Sequence, residues 1–255
     1  MSTPTVSVSR QSKTRRPYPS AEYISGATSK SIRFVDSISV PFEECAPVRA
    51  FRSWPGKRNY SGVYWSSTTR SHIGFESLFE RTALMTLDRD PSITAISSQP
   101  MWIHWSDGEK ARAHAPDFFA RHSNGDGEVI DVRPTALVDS VAAEIFTTTR
   151  ELCEDAGFRY RVISDLGRVL DDNLRFITPY RDARWELPPD IREAMFDAVP
   201  ELPLQALAAA IQGSNGRKGA IGHVYWLIWH GHIDVDLTRP LTSRTLARPK
   251  RGAAR

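Results

Sequence analysis

The sequence has only two cysteines and no long apolar run. It also lacks the motifs that identify several common classes of enzyme. Cys45 and Cys153 are its only cysteines, and their separation fits neither a zinc site nor a disulfide framework. This usage predicts a reducing compartment, the cytoplasm. No segment approaches the ~20 apolar residues of a membrane helix, and the first residues lack the apolar core of a signal peptide. A Ser/His/Asp order and a glycine-rich phosphate loop are lacking as well.

Acidic residues are scarce at both ends of the chain. The first 35 residues carry six basic side chains against Glu22 alone, and residues 239–255 carry six basic side chains and no acid. Because the whole chain has a net charge of only +3, the residues between them have a net charge of −8. Basic ends on an acidic body are typical of a protein whose arms contact phosphate, and equally of soluble disordered tails.

Patterning along the chain predicts four regions. They are a basic disordered arm over residues 1–30, an α/β domain over 31–180, a second domain over 185–245 and a basic tail over 246–255. In the α/β domain, apolar spacing predicts a helix over 73–89 that Asp90-Pro91 stops. Strand-like runs follow, then a helix over 137–156 closed by Gly157 and a further strand. This order of elements indicates an α/β or α+β fold.

The second domain has a different sequence pattern. Three short helical segments separated by Pro, Gly and Asn precede two short strand-like segments around Pro240, a pattern typical of a winged helix-turn-helix. The alternative is a small helical cap on the first domain. Arg217, Lys218 and His223 lie before and within the third helical segment, where they are candidates for contacts with DNA. A solvated helix start is the alternative for these three residues.

The stretch HAPDFFARHSNGDGEVIDVRP, residues 114–134, is the most informative part of the sequence. Its SNGDG segment is a strong turn signal, so the flanking apolar runs are predicted to form a hairpin. Asp131 and Arg133 are two residues apart and therefore point to the same face of one strand, with Asp117 on the neighbouring strand. A carboxylate from the preceding helix, Glu80 or Glu76, could join them.

Two explanations fit these acids. Asp131 lies between apolar neighbours in a run predicted to be buried, where a carboxylate is costly unless it is paired or bound to a metal. Mg²⁺ prefers such hard oxygen ligands, and in phosphodiester cleavage it positions a water and neutralises developing charge. A structural salt bridge between Arg133 and either aspartate is the other explanation.

With these motifs in place, the chain resembles the TnsA-like endonuclease subunits of heteromeric transposases, which are members of the PD-(D/E)xK restriction-endonuclease-like superfamily. The resemblance covers about residues 58–245. It depends on the order of five segments: SLFE (77–80), DRDPSITAISSQP (88–100), APDFF (115–119), VIDVRP (129–134) and GHIDVDLTRPLTSRT (231–245).

The resemblance implies a restriction-endonuclease-like mixed sheet flanked by helices and a set of catalytic positions. Glu80 matches the family's helix acid, and Asp117 matches the acid that binds the catalytic metal. Asp131 matches the variable polar or acidic position of the third motif, and Arg133 matches the position of that motif's lysine. The three acids would hold Mg²⁺, with Mn²⁺ as a substitute. The resemblance further implies hydrolysis of a DNA strand at the 5′ ends of a transposon. The implied partners are DNA, an integrase-class transposase subunit and, as an additional candidate, a regulator ATPase.

Arg133 is the departure from the family pattern. Arginine stays protonated because its pKa lies above ~12, so it can bind phosphate but cannot accept a proton from water. The chain has only six lysines, and none lies in this motif or on the helix that follows it. Either the metal alone generates hydroxide, or the chain is an inactive DNA-binding and partner-recruiting subunit or a winged-helix regulator. The retention of all three acids favours activity.

Overall fold

The computed structural model describes residues 17–50, 60–108, 110–192, 201–215 and 219–250. The chain divides into two compact units, the first comprising Met1–Ala83 and Ser92–Asp165 and the second Leu84–Pro91 and Leu166–Arg255. This division falls about 15 residues before the expected domain boundary near residue 180. It does so because the helix that follows Asp165 packs with the C-terminal helices.

The first unit contains an antiparallel four-stranded sheet with the order β2-β1-β6-β7. Its strands are β1 (Ser20–Ser25), β2 (Thr28–Arg33), β6 (Met101–Asp107) and β7 (Lys110–His114). A separate hairpin is formed by β3 (Gly62–Ser66) and β4 (Ser71–Phe75). This sheet brings β7, and with it His114, beside β6.

A second four-stranded sheet of the first unit contains the two strands on either side of the SNGDG turn. Its order is β10-β9-β8-β5, formed by β5 (Ile93–Ser98), β8 (Phe118–His122), β9 (Gly127–Val132) and β10 (Arg159–Ile163). Strands β9 and β10 are parallel, while the other pairs are antiparallel, so the sheet is mixed as expected. The predicted β8–β9 hairpin is confirmed, with Gly125 at φ +91° in its turn.

Helix α2 (Ser140–Ala156) connects the two parallel strands, and its bounds agree closely with the prediction. The side chain of Asp139 caps its start by accepting a hydrogen bond from the Ala142 N–H at 2.8 Å. Gly157 ends it in the left-handed region at φ +82°, where the missing Cβ removes the steric penalty. The predicted stop signal is therefore confirmed.

The core of the first unit is formed by buried residues from both four-stranded sheets and from α2. Its larger members are Phe34, Phe42, Met101, Ile103, Trp105, Phe119, Val129 and Phe158. Gly127 is required at the start of β9, because a Cβ there would lie 2.7 Å from Phe119 Cζ and 2.9 Å from Phe158 Cδ1. The rings of Phe119 and Phe158 contact each other and Phe42, so they pack closely beside the start of β9.

The expectation of a disordered arm over residues 1–30 differs from the structure in its second half. Residues 1–16 lie outside the described residues, but β1 and β2 form a hairpin, and β1 pairs with β6. Strand β2 is exposed along most of its length, which explains its polar composition. Ala21 and Ile24 of β1 are buried instead and anchor the hairpin to the core.

Helix α1 (Leu78–Arg89) begins five residues later than the predicted start at residue 73. The residues before it form β4, and Ser77 caps the helix. The chain leaves the helix at Asp90-Pro91, as predicted. The first turns of α1 belong to the first unit and its last turns to the second.

The second unit is mainly helical. Its further helices are α3 (Arg168–Ile177), α4 (Leu204–Asn215) and α5 (Ala220–Trp229), and 3-10 helices span Thr178–Arg181 and Ala183–Trp185. A small sheet has the order β11-β13-β12, with β11 (Leu202–Pro203), β12 (Ile233–Asp234) and β13 (Leu246–Pro249).

The first unit also contains short 3-10 helices, which span Phe34–Ser39, Phe42–Glu44 and Thr135–Leu137.

The winged-helix prediction is not confirmed for the second unit. The two segments around Pro240 pair as β12 and β13, and two of the three predicted helices correspond to α4 and α5. The remaining predicted helix falls largely on residues 193–200, which lie outside the described residues. Helix α5 is buried along most of its length, in keeping with its apolar sequence. Within the described residues, no helix is long and apolar enough to cross a membrane.

Candidate active site

One cleft in the first unit gathers the residues that the sequence singled out. Glu80, Asp117, Asp131 and Arg133 all line it, and its volume is about 600 Å³. Glu76, the alternative helix acid, is absent from the lining, although both glutamates are among the described residues. The structure therefore brings the four predicted catalytic residues together in one cleft.

The β8–β9 hairpin positions the two aspartates. Asp117 immediately precedes β8, and Asp131 is the penultimate residue of β9. Because Phe118 pairs with Ile130 in this antiparallel ladder, Asp117 and Asp131 lie beside each other at the open end of the hairpin. The backbone N–H of Val132 donates to Oδ2 of Asp117 at 2.8 Å, which ties the two strand ends together.

Asp117 lies in an environment that disfavours its negative charge. Burial raises its pKa well above the usual value, and the neighbouring charges of Asp131 and Glu80 raise it further. The hydrogen bond from Val132 and the charge of Arg49 lower the pKa, but they do not cancel the increase. A buried carboxyl next to two other acids is a strong attractor for a cation.

Asp131 is held by two side chains that lie outside the predicted catalytic set. Nε2 of His114 lies 2.8 Å from Oδ1 and 2.9 Å from Oδ2, and the hydroxyl of Tyr160 donates to Oδ2 at 2.6 Å. Burial and the charge of Asp131 raise the pKa of Tyr160 far above its usual value, so the phenol stays protonated and keeps donating. Asp131 is buried, and both of its carboxylate oxygens have hydrogen-bond partners.

Glu80 has a structural role as well as a place in the cleft. Its Oε1 accepts from the Ser77 hydroxyl at 2.9 Å, and its Oε2 accepts from the backbone N–H of Glu76 at 2.7 Å. The Glu80 N–H in turn donates to Ser77 Oγ at 3.1 Å. This reciprocal arrangement is a variant of the capping box at the start of α1, in which Glu80 accepts from the N–H of Glu76 instead of that of Ser77. Burial raises the pKa of Glu80.

Arg133 lies just beyond β9 and is half exposed. Its Nε donates to the backbone oxygen of Leu137 at 2.7 Å, and its Nη2 lies 3.9 Å from Oδ2 of Asp139. Within the described residues, these contacts take the place of the alternative salt bridge with Asp117 or Asp131. Because the guanidinium is half exposed and borders the cleft, it can reach a bound phosphate.

The donor set fits a divalent cation of the magnesium type. Among the residues that the structure describes, no three histidine, cysteine or acidic side chains lie close enough together to hold a metal ion unaided. Mg²⁺ needs no such cage, because one or two carboxylates plus water and substrate phosphate complete its coordination. Asp117 and Asp131 could supply that pair, and a bound cation would offset the neighbouring charges of Asp131 and Glu80 that raise the pKa of Asp117.

Of the three residues of the second unit that were expected to contact DNA, only His223 is among the described residues. Arg217 and Lys218 lie outside the described residues. His223 is buried in α5, and its Nδ1 donates to the backbone oxygen of Trp185 at 2.6 Å. The structure thus gives His223 a packing role instead of an exposed position facing DNA, because the apolar face of α5 carries it into the interior of the unit.

Residues 90–165 match the family described as TnsA-like endonuclease N terminal. This segment is a TnsA-like endonuclease domain. It begins directly after α1 and includes Asp117, Asp131 and Arg133, whereas Glu80 precedes it. The family resemblance found in the sequence is thereby confirmed. A comparison with curated proteins gives no match.

The family match indicates what kind of substrate and partner the cleft serves. The family is one of endonucleases, and the match implies, in general terms, DNA as the substrate class and a heteromeric transposase as the partner. His114 and Tyr160 also lie within the matched segment. Nothing in the sequence spacing required His114 to contact Asp131, and Tyr160 could not be placed there because its approach depends on the pairing of β10 with β9 across helix α2.

Proposed function

We propose that this protein is a metal-dependent DNA endonuclease subunit that hydrolyses one DNA strand at the 5′ end of a transposon. It acts together with an integrase-class transposase subunit, with a regulator ATPase as a further partner. The observation that carries the proposal is the buried pair Asp117 and Asp131 at the open end of the β8–β9 hairpin, inside the segment that matches the endonuclease family.

Asp117 and Asp131 would hold Mg²⁺, with Mn²⁺ as a substitute, and Glu80 would add a third carboxylate at the edge of the cleft. When bound, the ion would lower the pKa of a water and neutralise charge on the scissile phosphate. His114 and Tyr160 fix the orientation of Asp131 through three hydrogen bonds, so that the carboxylate does not rotate away from its ligand.

Arg133 would bind the phosphate and stabilise the negative charge that develops during hydrolysis. Its permanent charge and forked donors suit a phosphate oxygen pair, and its half-exposed side chain can leave Leu137 to reach one. Because arginine does not accept a proton at neutral pH, activation of the water would depend on the bound metal ion instead of residue 133. A nuclease that works in this way would not need the lysine of the motif.

The test is strand cleavage by the assembled transposase on DNA that carries the transposon ends. The Asp117→Asn variant preserves side-chain size and can still accept from Val132, so loss of 5′-strand cleavage with 3′-strand joining intact is the expected result. Asp107→Asn, which changes an exposed acid of the β6–β7 turn, is the matched control. Undiminished 5′ cleavage by Asp117→Asn would contradict the proposal and favour a non-catalytic, partner-recruiting subunit.

A further inference from the structure

We propose that Arg49 is a second phosphate-binding residue of the cleft, which contacts the DNA backbone beside Arg133. In the free protein its side chain forms an ion pair with Glu76. This inference rests on the proposed function, because it takes DNA to be the occupant of the cleft. Arg49 lies outside the endonuclease family match at residues 90–165, so its role comes from the structure alone.

Arg49 lines the same cleft as Asp117, Asp131 and Arg133. Its side chain is 41 % exposed, and its Nη2 lies 3.2 Å from Oε2 of Glu76. An arginine that borders a cleft and pairs there with a single partly exposed carboxylate retains donors for another oxygen ligand. Phosphate oxygens are such ligands, because a guanidinium fork matches them in two-point contacts.

The segment that carries Arg49 is tied to the acid pair through the backbone. The N–H of the buried residue Val48 donates to the backbone oxygen of Gln99 at 2.8 Å, and the N–H of Gln99 donates to that of Asp117 at 2.9 Å. Gln99 makes both bonds in the left-handed region, at φ +45°. Such a conformation is unfavourable for a residue with a Cβ, and it persists only where its surroundings enforce it.

The charge of Arg49 already acts on the acids of the cleft. It lowers the pKa of both Asp117 and Glu80, opposing the effect of burial. The lining contains three acidic side chains and the two guanidinium groups of Arg49 and Arg133. A bound divalent cation would offset the charge of the acids, so that the two guanidinium groups would favour the approach of a polyanion.

Glu76 distinguishes this role from a structural one. Its carboxylate neutralises Arg49 in the free protein, and a DNA phosphate must compete with it. If the pair serves DNA binding, removal of Arg49 weakens binding whereas removal of the Glu76 charge strengthens it. If the pair is only a structural bridge, both changes act in the same direction, because each breaks the same contact.

The experiment is equilibrium binding of the full-length chain to a fluorescein-labelled duplex of random sequence. Anisotropy is recorded across a salt series in Ca²⁺, which fills the metal site without supporting cleavage. Arg49→Ala is expected to lower the affinity several-fold and to reduce the slope of log K against log salt by ~0.9, the value for one lost phosphate contact. Glu76→Gln should raise the affinity several-fold, and Arg49→Lys should keep the slope.

Arg112→Ala is the matched control for Arg49→Ala. Arg112 belongs to the same unit, is 39 % exposed and lies 3.4 Å from Asp107, but it does not line the cleft. It should change neither affinity nor slope. Three results would overturn the inference: equal effects of Arg49→Ala and Arg112→Ala, weakened binding by both Arg49→Ala and Glu76→Gln, or no DNA binding by the wild-type chain.

The inference and the proposed function fail in different experiments. The cleavage assay with Asp117→Asn tests the nuclease, and the salt-dependent binding assay tests Arg49. An unchanged cleavage rate in Asp117→Asn together with a reduced slope in Arg49→Ala would remove the nuclease and keep the phosphate contact. Loss of cleavage in Asp117→Asn with an unchanged slope in Arg49→Ala would do the reverse.

Discussion

Replacement of Asp117 by asparagine is expected to stabilise the free protein while removing its stabilisation by Mg²⁺. The folded-state pKa of Asp117 is raised by burial and by its acidic neighbours. Its contribution to stability is therefore fully present below the ordinary pKa of an aspartate and is lost as pH rises through the raised pKa. At neutral pH the charged group costs stability, and asparagine removes that cost while its Oδ1 still accepts from Val132.

The effect of the metal has the opposite sign and a calculable size. An ion that binds only the folded state stabilises it by about 2.7 kcal/mol when its concentration is 100-fold above Kd. Because ~1 kcal/mol moves the melting temperature of a protein of this size by roughly 2–4 °C, the wild-type protein should melt roughly 5–10 °C higher in saturating Mg²⁺. Asp117→Asn lacks one of the two buried carboxylates and should show little of this increase.

Thermal melts followed by circular dichroism, with and without Mg²⁺ and across the acidic to neutral range, measure both effects. Without metal, the advantage of Asp117→Asn over wild type should disappear as the pH falls, because the wild-type carboxyl is then also neutral. Asp107→Asn, on the exposed β6–β7 turn, should respond to Mg²⁺ as wild type does. Equal increases of the melting temperature in wild type and Asp117→Asn would refute the reasoning.

Three further substitutions test other parts of the structure. Arg133→Ala should lower the cleavage rate by roughly 10²–10³-fold, as for loss of one charge-stabilising donor, yet leave the Mg²⁺-dependent melting shift intact; loss of that shift would contradict the assigned role. Gly127→Ala should destabilise the protein by about 1–3 kcal/mol in urea unfolding, since its Cβ meets Phe119 at 2.7 Å, and a neutral result would refute the packing argument. Tyr160→Phe removes the 2.6 Å donor to Asp131 and should cost about 1.5–3 kcal/mol in the same assay; unchanged stability would show that the bond contributes nothing.

Local signals in the sequence identified the parts of the site that are close along the chain. The SNGDG turn fixes the β8–β9 hairpin within a few residues, and that hairpin alone brings Asp117 to Asp131. The apolar neighbours of Asp131 correctly predicted its burial. The fold class followed from the same kind of information, because the order of helices and strands depends mainly on short-range periodicity.

Contacts between distant segments could not be predicted in this way. Tyr160 reaches Asp131 because β10 pairs with β9 across the intervening helix α2, and Arg49 reaches the cleft because its segment bonds to Gln99. Neither pairing leaves a local pattern in the sequence. Strand β2 is polar because it is exposed, so its composition resembled that of a disordered arm. The burial of His223 likewise depends on how α5 packs, which spacing alone does not indicate.

The capping box at the start of α1 affects how genetic data on this protein would be interpreted. One carboxylate, that of Glu80, both closes the first turn of the helix through Ser77 and Glu76 and faces the cleft. A screen for inactive alleles would therefore recover Glu80→Ala or Glu80→Lys whether the defect lay in folding or in chemistry. Suppressor mutations separate the two: a stabilising change elsewhere restores an allele that only unfolds, and leaves a catalytic allele inactive.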